Sequence, residues 1–291
     1  MPADALSLPA EPGVGPRLHR RPARLTVGGI LVGAFALSAL LAPWLSPYDP
    51  AAVPAALSEA MLRPPHPSHP FGTDALGRDL LSRVVHGGRV SLALGLGVEV
   101  VAATLGLVIG LLAGYYGGWR DSLLMRVTDV VMAFPSLILA IGLIAVFERP
   151  GLDKVALVLV ALGWTTIARV VRGETLSLKE RDYVQAARAL GIGHGTILFR
   201  HILPNALGPV IVTATIGVGS NMIAEAGLSF LGLGAQSPTI SWGTMLADGQ
   251  TFLTSAPWVA FFPGAALLLA VLGINLLGDA LRDLLDPRFK P

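Results

Sequence analysis

The chain has 291 residues, of which 53% are hydrophobic and only 14% are charged. An ordinary soluble domain carries roughly a quarter charged residues, and the mean hydropathy of +0.66 points the same way. This composition disfavours a free globular enzyme. Six membrane helices of about 20 residues would use roughly 120 residues, which leaves loops and tails but no large soluble domain. The formal net charge is only +2 and cysteine is absent, which excludes disulfides and cysteine-based metal or thiol sites.

The N-terminal segment predicts a membrane anchor that is retained. Residues 1–24 are proline-rich and carry four arginines against two acidic residues, directly before the uncharged run 25–45. Ala39 and Ala42 have the wrong spacing for an A-x-A cleavage site, and Pro43 would follow the cut. We therefore expect 25–45 to be the first transmembrane helix.

Five further apolar stretches follow, so the sequence predicts an all-α membrane protein with six transmembrane helices. The fourth stretch is the shortest, at about 17 residues, and the fifth exceeds the minimum length, which favours tilt or a break. The predicted spans are 25–45, 90–113, 123–147, 155–171, 205–233 and 257–278.

The distribution of basic residues predicts the orientation of these helices. With the N-terminus inside, 15 of the 21 lysines and arginines lie in the tails and inner segments, and six lie outside. Inner segments of membrane proteins carry the excess of basic residues, so both termini are expected to be cytoplasmic. Residues 1–24 and 281–291 would be cytoplasmic tails, 46–89 an external loop, and 90–280 a five-helix core.

The longest inner connection, residues 172–204, has the pattern of two short helices. Asp182 is placed to cap a helix whose third residue is Gln185, a capping box, and Gly191 stands where a left-handed residue ends a helix. A second short helix is expected over 194–203.

Two adjacent alanines, Ala186 and Ala187, lie on the first of these helices. If both are exposed, the loop is a compact knob whose small side chains let a partner protein approach closely. An amphipathic loop lying at the membrane surface explains the same spacing.

This loop resembles the EAA loop of ABC-importer permeases, in which E-A-A, a glycine after three residues, and a later I-x-L-P recur. The matching runs are DYVQAARALG at 182–191 and RHILPN at 200–205. Gln185 replaces the family's glutamate, and His201 replaces its isoleucine. Further runs resemble one subfamily, the importers of dipeptides, oligopeptides and nickel: HPFGTDALGRD at 69–79, FPS at 134–136, SFLGLG at 229–234, WGTM at 242–245 and GDALRDLLDP at 278–287.

The resemblance implies a type I ABC-importer permease fold and a subunit of a larger machine. Such a permease forms half of a pathway with a second homologous permease, receives peptides from an extracytoplasmic solute-binding protein, and is driven by two cytoplasmic ATPase subunits that hold ATP and magnesium. This chain itself would bind no cofactor, metal or nucleic acid, and it would span the cytoplasmic membrane of a bacterium or archaeon. Nickel and a glutathione-like solute are the alternative cargoes. The implied ATPase-coupling residues are Asp182, Gln185, Ala186, Ala187, Gly191, His201, Leu203 and Pro204.

A self-sufficient secondary transporter or an intramembrane enzyme is the alternative from a different class. Its ion-coupling or catalytic groups would have to come from scattered residues in the spans, such as Glu99, Asp129 and Glu225. The sequence contains no H-E-x-x-H and no G-x-S-x-G, the motifs of two hydrolase classes. It also lacks the phosphate-binding G-x-x-x-x-G-K-[ST], so an ATP-driven transporter would need separate ATPase subunits.

Three polar residues in the spans, Glu99, Asn221 and Glu225, are candidate pathway or interior residues. Ionised groups at membrane depth cost several kcal/mol unless they are paired or hydrated, so both glutamates are expected to face the bundle interior. Glu225 would form a helix–helix hydrogen bond or line the pathway. Glu99 would attract the ammonium of a peptide or a divalent cation, or serve as a structural carboxylate bonded to a neighbouring helix.

Two smaller patterns have a structural interpretation. Histidines at 66, 69 and 86 suggest nickel or zinc capture, but the prolines around the first two prevent a helical ligand pair, and an external plug or docking surface is the preferred interpretation. Glycines at 106, 110 and 114 have the small-xxx-small spacing that lets membrane helices pack closely.

Overall fold

The structure, a computed structural model, describes residues 21–56 and 60–285. Within these ranges the chain is helical and has only isolated β-bridges, no strand. Five helices are long and apolar enough to cross a membrane, and a bent helix pair is a sixth candidate. The helices are α1 (Arg21–Leu40), α2 (Ala42–Leu45), α3 (Leu80–Tyr116), α4 (Gly118–Met132), α5 (Ser136–Ile144), α6 (Leu152–Lys179), α7 (Asp182–Ala189), α8 (His194–Thr196, continued by a π-helix Ile197–Ile202), α9 (Leu203–Phe230), α10 (Trp242–Gln250) and α11 (Trp258–Leu285).

The first predicted span is two helices, of which α1 packs beside the last helix and α2 packs against α3. α1 ends at Leu40, and α2 begins at Ala42 with Pro43 in its first turn. A Cβ on Gly28 would lie 2.8 Å from the backbone nitrogen of Leu277, so α1 and α11 are in backbone contact. The predicted tails lie largely outside the described residues, which begin within 1–24 and end at 285.

The external loop was predicted to extend to residue 89, but α3 begins at Leu80 and residues 80–89 are helical. Asp79 caps this helix by accepting a hydrogen bond from the backbone N–H of Ser82 at 2.8 Å. Arg83 is buried, and its Nε lies 3.3 Å from an Asp74 carboxylate oxygen. A charged residue typical of a loop, Arg83, is therefore paired inside the fold.

The third predicted span is wrong as a single helix, since α4 and α5 meet at 86°. Pro135 stands at the start of α5 with an extended backbone, φ −57° and ψ 121°. Proline cannot donate the helical hydrogen bond, and its ring disfavours a helical conformation at the preceding residue, Phe134. The proline accounts for the break.

The fourth span was predicted to end at residue 171, but α6 includes Arg169 and Arg172 and ends at Lys179. Arg169 bonds to Asp129 at 2.5 Å, and Arg172 bonds to both carboxylate oxygens of Asp121 at 2.5 and 2.7 Å. Both acids lie on α4. The helix can include these cations because α4 supplies a carboxylate to each.

The glycine stripe of α3 packs against α6, which confirms the predicted close approach. Cβ atoms built at 106, 110 and 114 would meet Trp164 O at 2.5 Å, Ala168 O at 2.6 Å and Thr175 Cβ at 2.7 Å. Real side chains do not approach this closely, so α3 and α6 are in backbone contact over two helical turns.

The fifth predicted span is longer than expected and unbroken. Helical residues run from His194 through the π-helix to Phe230. α9 packs against α3, α6 and α11. Its extra length therefore lies before the predicted start at residue 205.

Candidate functional site

The first candidate site is the α7–α8 loop, residues 182–202. Asp182 is the first residue of α7, and the preceding Arg181 occupies the cap position with no side-chain cap bond, so the predicted capping box is wrong. The Gln185 side chain instead donates to the backbone carbonyl of Lys179 at 3.1 Å and to a Glu180 carboxylate oxygen at 3.3 Å. Since the last carbonyls of a helix lack intrahelical partners, Gln185 satisfies one of them and ties α7 to the end of α6.

The turn after α7 has the predicted left-handed glycine. Gly191 has φ +73°. The backbone N–H of Gly191 donates to Arg188 O at 2.9 Å, and that of Ile192 donates to Ala187 O at 3.1 Å. These two bonds are the Schellman arrangement, in which a left-handed residue closes the helix and satisfies its last carbonyls.

Ala187 is buried, so the prediction of two exposed adjacent alanines is wrong. It is only 4% exposed and packs in an apolar cluster with Val184, Ile197 and Ile202. Residues three apart lie on one face of a helix, which places Val184 and Ala187 together on the inward face of α7. Ala186 lies on the outward face and is exposed.

The remaining predicted coupling residues lie where α8 joins α9. His201 and Leu203 are half-buried and Pro204 is exposed. The backbone carbonyl of His201 accepts a hydrogen bond from the Asn205 side chain at 2.7 Å. Proline has no N–H to donate, and the π-helix directly before α9 is the kind of local widening found at such positions.

Two exposed apolar side chains on this loop are not among the predicted coupling residues. Leu190 is 81% exposed and Phe199 is 70% exposed. Leu190 belongs to the run 182–191 that resembles the EAA loop and Phe199 directly precedes the run 200–205, but neither is one of the residues by which that motif is defined. Their exposure on a tightly closed loop makes an apolar contact surface, together with the outward face of α7.

The second candidate site is a cavity of about 550 Å³ between α3, α6, α9 and the α4–α5 break. Glu99 contributes from α3. Polar groups from α6 and α9 face it along with apolar side chains; the polar residues are Thr165, Thr166, Thr213, Ser220 and Asn221, and Ser136 comes from α5. Pockets of 300–1,000 Å³ with a few placed polar groups are typical of small-molecule sites.

Glu99 and Asn221 are brought together at this cavity. They are 6% and 8% exposed, and Asn221 Nδ2 donates to Glu99 Oε2 at 2.8 Å. A Cβ built on Gly217 would collide with the Glu99 carboxylate. Gly217 and Asn221 lie one turn apart on α9, so they form a notch that receives the carboxylate.

Glu225 lies elsewhere and does not line this cavity. It is 0% exposed; Ser91 Oγ donates to its Oε2 at 3.1 Å, and Ser229 Oγ donates to its Oε1 at 2.7 Å. The Ser91 hydroxyl also accepts a bond from the backbone N–H of Trp242 at 3.3 Å. Of the two roles expected for Glu225, this geometry supports the helix–helix hydrogen bond, because the carboxylate joins α3 and α9.

The histidines of the first long loop have structural partners. His69 Nδ1 lies 2.8 Å from Asp79 Oδ1, and His86 Nδ1 lies 2.9 Å from Ser46 Oγ. His66 Nδ1 lies 2.9 Å from Pro64 O. In residues 21–56 and 60–285 there is no group of three His, Cys, Asp or Glu placed to hold a metal.

Comparison with known proteins identifies the family. Residues 106–291 match the family described as binding-protein-dependent transport system inner membrane component. A dipeptide transport system permease protein of Alkalihalophilus pseudofirmus is 43% identical over 91% of this chain and 86% of its own length. An oligopeptide transport system permease protein of Bacillus subtilis is 40% identical over 91% and 85%, and a glutathione transport system permease protein of Pectobacterium atrosepticum is 46% identical over 78% and 75%.

A solved structure has the same fold. A chain of the MetNI methionine ABC transporter in an inward-facing conformation superposes with a TM-score of 0.58 over 70% of this chain and 96% of that chain, at 20% identity. At this identity the likeness is one of fold alone, and it agrees with the all-helical arrangement described above. The family match and the relatives of 40% identity or more together settle the assignment: the chain belongs to the binding-protein-dependent transport system inner membrane components, the permease subunits of ABC importers.

Proposed function

We propose that this permease forms half of the translocation pathway of an ATP-driven peptide importer and that the α7–α8 loop is its contact with the ATPase subunits. The observation that carries the proposal is the construction of the loop. It exposes Ala186, Leu190 and Phe199 on the outside, while its inner face is packed into the helix bundle.

The loop packs directly against the helices of the bundle. The apolar cluster that buries Val184 and Ala187 also contains Leu111 of α3, Ile167 of α6 and Val210 of α9. Protein interiors are closely packed and transmit displacement, so a movement imposed on α7 would change how these three helices pack around the cavity. ATP-driven closure of partner ATPases would then alternate the access of the pathway.

The proposed assembly follows from the family. A second permease would complete the pathway, two ATPase subunits would supply ATP hydrolysis with magnesium, and a solute-binding protein would deliver cargo from outside the membrane of a bacterium or archaeon. The 15 to 6 distribution of basic residues supports cytoplasmic termini and a cytoplasmic α7–α8 loop.

Peptides are the proposed cargo because relatives matched over most of this chain are named dipeptide and oligopeptide permeases. A relative named for glutathione transport keeps a glutathione-like solute as the second candidate. Uptake of labelled dialanine and of labelled glutathione by cells that express the assembled transporter separates the two.

The loop contact is tested with a bulky substitution on the exposed face of α7. Ala186→Trp should abolish peptide uptake and stimulation of ATP hydrolysis by the binding protein, because the ring occupies the contact surface, while the chain still accumulates in the membrane. Ala52→Trp is the matched control, an exposed alanine in the first long loop. Ala187 is unsuitable here because it is buried, and a larger side chain there would disrupt packing.

Two results would contradict the proposal. One is normal transport by Ala186→Trp in a complex that retains its ATPases. The other concerns orientation: because the chain has no cysteine, a single Ala186→Cys can be labelled selectively. Labelling by a membrane-impermeant reagent added outside intact cells would place the loop on the wrong side.

A further inference from the structure

We infer that the cavity between α3, α6, α9 and the α4–α5 break binds the ammonium group of the transported solute, with the Glu99 carboxylate as its anionic partner. The inference rests on the proposed function, because it names the chemical class that the pathway accepts.

Among the residues that the structure describes, the cavity has an acidic group in its lining without a basic one. Within the described part of the chain, Glu99 is the only ionisable residue among those that line it. The two arginines on the neighbouring face of α6, Arg169 and Arg172, are paired with Asp129 and Asp121 of α4. The cavity therefore has an acidic group whose counter-charge is not supplied by its own lining.

The position of the Glu99 carboxylate is fixed by its neighbours on α9. Gly217 leaves the space that the carboxylate fills, and Asn221 donates to one of its oxygens. An ionised carboxylate has about four acceptor positions, and an ammonium brings three donors. A buried carboxylate without a counter-charge is costly. A bound cation would supply both the counter-charge and the remaining hydrogen bonds.

Glu225 is the internal comparison. Hydroxyl groups of Ser91 and Ser229 donate to its two oxygens, and it has no exposed surface. A carboxylate used only to join helices is enclosed in this way. Glu99 differs because, among residues 21–56 and 60–285, the amide of Asn221 is its single donor, and because it borders a cavity.

The rest of the lining suits a small peptide. Hydroxyls of Thr166, Thr213 and Ser220 can bond to peptide groups, while Leu159, Leu162 and Ile216 form apolar walls for side chains. The volume of about 550 Å³ lies in the range of pockets that enclose small molecules. The α-amino group of a peptide has a pKa near 8, so it is largely an ammonium at neutral pH.

The test uses charged thiol reagents in the assembled, detergent-solubilised transporter. Ser220→Cys places the only cysteine of this chain on the cavity wall, and Thr239→Cys places it on an exposed loop. The modification rate of each is measured by mass shift with two methanethiosulfonates, one carrying trimethylammonium and one carrying sulfonate. A nearby unit charge in a partly hydrated cavity should raise the cation-to-anion rate ratio by roughly tenfold over that at the loop position.

Variants of Glu99 then assign the effect. In the Ser220→Cys background, Glu99→Gln should bring the ratio to that of Thr239→Cys, while Glu99→Asp, which keeps the charge, should retain most of the preference. Equal ratios at the two cysteine positions in the otherwise unchanged chain would overturn the inference, even if Glu99→Gln failed to fold. A preference that survives in Glu99→Gln would overturn it as well.

A parallel uptake measurement separates this inference from the proposed function. N-acetyl-dialanine carries a neutral acetamide in place of the ammonium group of dialanine, and Glu99→Gln should reduce import of dialanine severalfold more than it reduces import of the acetylated form. Cation preference in a transporter that imports no peptide would refute the proposed function and leave the cation site. Peptide import without cation preference at Ser220→Cys would overturn the site and leave the function.

Discussion

The close contact of α3 and α6 predicts a large difference between two glycine substitutions in the same helix. A methyl group at Gly110 would lie 2.6 Å from Ala168 O, 2.6 Å from Val171 Cβ and 3.0 Å from Arg172 N. Two of these atoms belong to the backbone of α6, so they cannot move aside as a side chain would. Gly110→Ala therefore forces the two helices apart.

The loss of stability expected for Gly110→Ala follows from the size of this clash. Ordinary contacts begin at about 3.4 Å, so the helices must separate by roughly 0.8 Å at this point. Overpacking of this kind costs about 1–3 kcal/mol. Gly97→Ala is the matched control, because Gly97 is also on α3 and has no atom within 4 Å of the added methyl group.

The two variants gain the same helix propensity from alanine, about 1 kcal/mol, so comparing them removes that contribution. Thermal unfolding of the purified chain in detergent is the assay. Taking about 2–4 °C for each kcal/mol, Gly110→Ala should unfold on the order of 5 °C below Gly97→Ala. Equal unfolding temperatures would refute the inference that backbone contact holds α3 and α6 together.

Three further predictions concern single residues. Gly191→Val should destabilise the α7–α8 loop by about 1–3 kcal/mol, because φ is +73° there and a β-branched residue is strained in that region. Gly191→Asn should cost less, and equal resistance of both variants to limited proteolysis would contradict this. Asp79→Ala should cost about 1 kcal/mol by removing the cap of α3, and unfolding at the parent temperature would show the cap to be dispensable. Trp242→Phe removes the donor to the buried Val84 carbonyl, a bond of 2.8 Å, so it should cost about 1–3 kcal/mol in thermal unfolding, and an unchanged melting temperature would argue against that bond.

Apolar length predicts most of the helices because crossing a membrane requires it, but it does not predict where a helix breaks. The run 123–147 is apolar throughout its centre, and its average hydropathy is insensitive to one proline. The break lies at Pro135. The ends of α3 and α6 were also missed, because Arg83 and Arg172 have the pattern of loop residues until their partners Asp74 and Asp121 are in place.

The sequence predicts more of the α7–α8 loop than of the cavity. Gly191 was predictable because a left-handed helix end is a local requirement. The burial of Ala187 was predictable too, since it stands three residues after Val184 on one helix face, although two adjacent alanines suggest an exposed pair. The different surroundings of Glu99 and Glu225 were beyond reach, because they depend on which residues of α3 and α9 lie opposite each other.

Within the proposed mechanism, the Glu99–Asn221 bond lies where two rigid units meet. Backbone contact along the glycine stripe makes α3 and α6 one unit, and Gln185 ties α7 to the end of α6. A displacement of α7 therefore carries α3, and with it the Glu99 carboxylate. Asn221 belongs to α9, so rotation of the α3–α6 unit against α9 changes the 2.8 Å bond between them. The carboxylate would then exchange its amide partner for a cation as the bundle moves, which links occupancy of the cavity to the position of the loop.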